Sequence, residues 1–317
     1  MMRSDPSAAQ ERRLPSYSSQ LRGPSLFLQE VASLVRAHAQ NTGQHVAEAI
    51  AHLRKVERLV LEHAGLRLEG LDMLDVGAGQ RLLQAYYFEY RGNRVVGIDR
   101  DVIVRGLSPH DYLRMARSNG ARRVTKTLGR KLLGIDARYA RELRRQMGTR
   151  RSSPHVRVLQ MDATALDFAD ASFDFAYSLT AFQYVADPAR ALAELARVAR
   201  PGGAVYVDFL PFTGVIGSFD IRTIGGGTTD LPEWAHLRPR FAPQVREAAF
   251  LNRLTLKDWS RIVGEAMPGS TFLADQPGRN ELEPLARRLH ADDELLEYDL
   301  EELLTSMVSV VWRKPLL

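Results

Sequence analysis

The chain has no cysteine among its 317 residues, which excludes disulfides and thiolate metal sites and leaves the redox compartment open. Long hydrophobic runs are also missing: none reaches the roughly 20 residues that span a bilayer. The longest, around "GGAVYVDFLPFTGVIGSF", is broken by Asp208 and Pro211. The opening "MMRSDPSAAQERRLPSYSSQ" lacks the apolar core of a signal peptide. The eight histidines include no HExxH or comparable ligand spacing, so no metal site is expected. Internal repeats and low-complexity tracts are absent as well. A soluble, cytoplasmic globular protein is the expectation, and 45% hydrophobic with 26% charged residues suits it.

Charge is unevenly spread. The net value is +5, yet between Asp101 and Arg151 fourteen Lys/Arg stand against four Asp/Glu, a local +10. The remainder of the chain therefore carries about −5. From Glu281 to Leu304 nine acids face two arginines.

Residues 1–24 are polar and proline-punctuated and read as a loose arm. In 25–68, "SLFLQEVASLVRAHAQ" and "QHVAEAIAHLRKVERLVLEHAG" repeat apolar residues at i, i+3, i+4 and i+7, two amphipathic helices split at Asn41-Thr42-Gly43. They suit a lid or a dimer face equally. Residues 69–317 alternate strand and helix: Leu71–Val76, a helix over 80–90, "RVVGID", "VRVLQMD", "FDFAYSL", "PARALAELARVA", "RPGG" as a turn, "AVYVDF" and a last strand "SMVSVVW". Such alternation predicts a parallel sheet with right-handed crossovers. Two insertions interrupt it: a basic helical one over 101–154, with Ser108 as an N-cap before Pro109, and an irregular one over 211–253.

The chemistry concentrates at "LDVGAGQRLLQ". Gly77 and Gly79 suit a tight strand-to-helix turn, where a ligand can approach backbone N–H groups and a helix N-terminus. A dinucleotide-binding turn wants a third glycine at position 82, where Leu82 stands, and a pyrophosphate disfavours the adjacent Asp75. Both features argue against a nicotinamide dehydrogenase. A ligand with a cationic, amino-acid end suits that carboxylate, and S-adenosylmethionine has one. Asp99 ends the second strand, placed to accept from ribose hydroxyls. Asp162, in "LQMDATAL", stands where it accepts from an adenine amine, beside the Ala163 N–H. Alone, an acid after a strand is as often a helix cap.

In order and spacing, "LDVGAG", "VVGID", "QMDA", "FDFAYSLTAFQYVADP" and "LARVARPGG" resemble the class I S-adenosylmethionine-dependent methyltransferases, small-molecule branch. The resemblance covers about Leu71 to Phe209 plus the terminal strand pair. It implies an α/β, Rossmann-like, doubly wound and mainly parallel seven-stranded sheet. It further implies that Asp75, Gly77, Ala78 and Gly79 line the methionine end of the cofactor. Asp99 then holds the ribose, Arg100 packs beside the adenine, Asp162 and Ala163 bind its edge, and Ser178 and Leu179 lie near the sulfonium. Two departures stand out: Arg81 where members often have a third glycine, and Tyr184 where they often have histidine.

A hydroxyl acceptor needs a base, which an amine or phenolate does without. His236, in "EWAHLRPRF" after the fifth strand, has the topological position for it, and Tyr184 that of a hydrogen-bonding wall. The plain alternative for His236 is a histidine bonded to loop backbone. Trp234 and the polar residues of the second insertion suggest O-methylation of a sugar or other polar metabolite. A nucleic-acid methyltransferase, here of RNA, is the rival that the basic segment raises. The absence of a "DPPY"-like motif after the fourth strand counts against base N-methylation, and the segment has only Tyr112 and Tyr139 for stacking. The segment, emerging beside the adenine end of the cofactor, is therefore expected to be a structural insertion with an incidental basic face, one that would favour anionic acceptors. A non-catalytic binding protein of the same fold is the remaining alternative.

Overall fold

The computed structural model describes residues 41–150, 155–223 and 228–316. The expected arm, the first N-terminal helix and Gly225-Gly226-Gly227 lie outside the described residues. Seven strands form one sheet: β1 (Asp72–Val76), β2 (Arg94–Asp99), β3 (Arg157–Gln160), β4 (Phe173–Leu179), β5 (Ala199–Phe209), β6 (Thr271–Asp275) and β7 (Met307–Arg313). Their order is β3-β2-β1-β4-β5-β7-β6. Pairing is parallel from β3 through β5, and only β7 runs against its neighbours. The chain leaves β1 toward one edge and returns through β4 toward the other. That reversal opens a crevice at the carboxyl ends of β1 and β4.

Strand alternation assigns the two cores. Met73, Phe175, Tyr177 and Tyr206 face α1 (Thr42–Ala64), α2 (Leu83–Tyr90) and α5 (Ile135–Gln146). Leu74, Ala176, Val205 and Val310 face α6 (Pro188–Val198) and α7 (Leu256–Ala266). Helix α1 buries Val46, Ile50, Leu53, Val56 and Val60 along one stripe. Asn41 caps its start by accepting from the Gln44 N–H, and Gly65 ends it at φ +61°. The basic insertion is α3 (Pro109–Asn119), α4 (Ala121–Leu132) and α5, and the acidic stretch gives α8 (Arg279–Ala291) and α9 (Leu300–Leu304). Arg130 and Lys131 pair with Asp136 inside the insertion, while Arg279 and Arg287 serve Glu283 inside α8.

Three local expectations are corrected. Helix α2 starts at Leu83 rather than 80, because Leu82 adopts φ +55° to bury its side chain in the core. "RPGG" is no free turn: it lies within β5, beside a register shift between Phe173 and Phe175. Ser108 stands at the N-cap of α3 without a side-chain bond.

Helix α1 is fixed to the sheet by a buried carboxylate. Asp208, at the carboxyl end of β5, is fully buried. Its Oδ2 accepts from His52 Nε2 at 2.7 Å and from the Tyr206 hydroxyl at 3.2 Å. Its Oδ1 accepts from the Thr180 N–H at 2.7 Å. Removing the carboxylate strips His52 of this partner and takes one of two acceptors from the Thr180 N–H and the Tyr206 hydroxyl, which keep the Asp208 carbonyl and Ser309 Oγ. Asp208→Ala is therefore expected to cost about 3–5 kcal/mol. His52→Ala, whose side chain is 30% exposed, should cost about 1–3 kcal/mol. Urea unfolding of both variants checks this order, and equal losses would contradict it.

Candidate active site

The crevice at the carboxyl ends of β1, β2 and β4 opens into a cavity of about 620 Å³, a size that suits a cofactor with a small partner. Its floor is the turn after β1. Gly77 N–H and Ala78 N–H both donate to the Ile98 carbonyl, at 2.9 and 3.0 Å. Gly79 N–H donates to Asp99 Oδ2 at 2.9 Å. Three amides of the glycine turn are thus spent on β2. What the turn offers a ligand is closeness rather than donors. At Gly77, φ is +79°, and a Cβ there would lie 2.6 Å from that of Ala181.

Asp99 organises the next station. Its second oxygen accepts from the Asp101 N–H at 2.8 Å, and the Met161 N–H donates to its backbone carbonyl at 2.9 Å. A carboxylate has about four lone-pair positions, so two remain for a ligand. Burial raises the Asp99 pKa, against the two backbone donors. Asp162, two residues beyond β3, uses Oδ1 to accept from the N–H and hydroxyl of Thr164, at 2.9 and 2.8 Å. Ala163 and Arg100 line the cavity beside it. Ser178 and Leu179 line the β4 side, with the Ser178 hydroxyl donating to the Val76 carbonyl at 2.8 Å.

Asp75 is placed differently from the expectation. It is fully buried within the sheet, in register with Gly97 and Tyr177, and is not among the cavity-lining residues. Burial, and then the neighbouring Asp99 charge, push its pKa well above the usual carboxylate range. With Val76 between it and the turn, Asp75 points into the sheet's flank, beside Tyr177 and Gln84.

On the acceptor side, Tyr184 lines the cavity from the short helical turn Phe182–Tyr184. Its ring packs edge-on against Phe219, with centroids 5.4 Å apart. Phe250 lines the same side. His236 does not reach the cavity: its Nε2 lies 2.7 Å from the Phe212 carbonyl and its ring packs edge-on against Phe212. Burial lowers its pKa, so it is held neutral as a loop strut. Trp234 is fully buried in a satellite core, its Nε1 donating to the Leu303 carbonyl at 3.0 Å.

Sequence reasoning missed the wall opposite. His45 and Ala49 of α1, Arg81, and the insertion residues Arg123, Arg130 and Tyr139 all line the cavity. The basic face taken as incidental is thus part of the site. Topology did place the start of this segment: between the parallel strands β2 and β3 it leaves the sheet at the carboxyl edge, beside the adenine end of the expected cofactor, but which of its side chains turn inward was not readable.

The demand for closeness at Gly77 is testable. Gly77→Ala should cost about 1–3 kcal/mol. Gly70→Ala makes the control, since Gly70 has φ +72° with nothing within 4 Å of its Cβ position. Denaturant midpoints should show the larger loss at Gly77, and equal losses would contradict the crowding.

Residues 117–207 match the family model described as Methyltransferase domain. Demethylmenaquinone methyltransferase of Renibacterium salmoninarum is 37% identical over 81 residues, 24% of this chain and 34% of that protein. Phosphatidylethanolamine N-methyltransferase of Cereibacter sphaeroides is 40% identical over 68 residues, 22% of this chain and 32% of that protein. The chain thus spans about a third of the length of these curated relatives. An S-adenosylmethionine-dependent methyltransferase from Mesorhizobium loti aligns in structure over 78% of this chain and 92% of its own, at 17% identity and a TM-score of 0.41. The family match, over residues 117–207, takes in β3, β4 and most of β5 of this sheet.

Proposed function

We propose that this chain transfers the methyl group of S-adenosylmethionine to a small-molecule acceptor held in the 620 Å³ cavity. The observation that carries the reading is Asp99, whose carboxylate faces the cavity with acceptor positions left after binding Gly79 and Asp101. The residues present fit the cofactor. Gly77, Ala78 and Gly79 leave room for close approach, and Asp99 would take the ribose hydroxyls. Asp162, Ala163 and Arg100 would hold the adenine, and Ser178 and Leu179 the region of the sulfonium. Bound S-adenosylmethionine supplies an electrophilic methyl group. The chain's own work is then to align an acceptor and exclude water, which can lower a barrier by roughly 7–11 kcal/mol.

For the acceptor we propose an oxygen of a small metabolite. With His236 away from the cavity, the histidine on its wall is His45, on α1, and it is our candidate to receive the acceptor's proton. Tyr184 and Phe250 would pack the acceptor's body. A sugar loses its main support, because the Trp234 ring is enclosed in a core. A small molecule is favoured over nucleic acid because Arg123 and Arg130 of the basic insertion, with largely buried side chains, line the cavity rather than an outer face.

Two measurements test this. Asp99→Ala removes a charged acceptor worth about 1.5–3 kcal/mol, so S-adenosylhomocysteine affinity by calorimetry should fall roughly 10- to 150-fold. Unchanged affinity would remove Asp99 from the ribose. His45→Ala, assayed with a metabolite pool by the mass gain of one methylene, should lower turnover by about 10²–10⁴ while S-adenosylhomocysteine still binds. Full turnover in that variant would leave His45 as wall only.

A further inference from the structure

The wall formed by the basic insertion holds more hydrogen-bond donors than the protein satisfies. Arg130 is 9% exposed; its Nε lies 2.7 Å from Asp136 Oδ1, a carboxylate that Lys131 Nζ shares at 2.9 Å. That pair is an ion pair without hydrogen-bond alignment, since both Asp136 oxygens also lack a bond, and the buried Arg130 Nη2 has no acceptor at all. Arg123, with a side chain 14% exposed, has Nη2 3.2 Å from Asp101 Oδ2, and its buried Nε lacks an acceptor. The Arg81 guanidinium lies 4.4 Å from the centroid of the Tyr139 ring, which fixes its plane. All four side chains line one cavity. Buried donors without acceptors are uncommon in folded proteins, and a guanidinium fork matches the paired oxygens of a carboxylate or phosphate.

We propose that Arg81, Arg123 and Arg130 form an anion-binding subsite of this cavity that takes a carboxylate or phosphate group. The inference rests on the reading of the cavity as the methyl-donor site. Two sources supply that chemistry: an acidic group on the acceptor, or the amino-acid carboxylate of the donor. Burial lowers the Arg130 pKa while Asp136 raises it, the condition of a cation whose desolvation is only partly compensated.

The test is calorimetry on the full chain with inorganic phosphate, S-adenosylhomocysteine and 5′-methylthioadenosine, which has no amino-acid end. Arg81→Gln and Arg123→Gln are the variants, because Arg130 is buried against Asp136 and its replacement could unfold the insertion. If the acceptor carries the anion, phosphate binds protein saturated with S-adenosylhomocysteine, and the variants weaken it about tenfold or more. S-adenosylhomocysteine affinity then stays unchanged. If the donor carries it, the variants weaken S-adenosylhomocysteine about tenfold or more and spare 5′-methylthioadenosine, while phosphate competes. Either pattern supports the subsite. Wild-type affinities in both variants for all three probes, or no phosphate binding on the order of millimolar together with unchanged S-adenosylhomocysteine affinity, would overturn it. A wild-type protein that binds neither nucleoside fails the donor reading. In that case phosphate binding lost in the variants still supports the subsite, and its absence overturns it.

Discussion

Asp99 joins the two halves of the crevice floor. One oxygen accepts from Gly79 in the turn after β1, the other from Asp101 at the start of the insertion. The Ile98 carbonyl beside it takes the Gly77 and Ala78 amides. The carboxyl end of β2 therefore holds the shape of the glycine turn. Three bonds from the glycine turn to β2 leave little freedom for the loops that line the cavity. Methyl transfer is chiefly a problem of alignment, so a rigid floor is the feature on which the chemistry would depend.

Above that floor the walls come from elements outside the parallel core. Helix α1 is tied down through His52 to Asp208, and the same carboxylate accepts from Thr180, a cavity residue on the β4 side. One buried charge thus positions two walls at once. The opposite wall is the basic insertion, whose α5 packs Ile135, Tyr139 and Leu143 into the α1-side core while Tyr139 also meets Arg81. Three of its cations, Arg123, Arg130 and Lys131, are arranged around Asp101 and Asp136.

Much of this was legible in the sequence. The strands could be read because buried parallel strands are short apolar runs ended by glycine or an acid, and their parallel pairing followed from alternation with helices. Ten of the twelve expected site residues, from Gly77 to Tyr184, line the cavity because strand ends fix their place. Asp75 and His236 do not. The direction of Asp75 is set by strand pleat, two residues before the turn, and the sequence pattern for the turn does not report it. His236 and Trp234 sit in an irregular segment, where the partner in space (Phe212 for one, Leu303 for the other) is decided by long-range packing. The left-handed Leu82 and the inward arginines were hidden for the same reason.

The central claim is that the glycine turn, the Asp99 exit and the turn at Asp162 form one cofactor floor. Hydrogen–deuterium exchange with and without S-adenosylhomocysteine tests it most directly. The account predicts slower exchange over residues 77–84, 99–104, 161–165 and 178–186, with no change in α8 and no effect of NAD. Protection by NAD over the same segments, or S-adenosylhomocysteine protection confined to other parts of the chain, would contradict it.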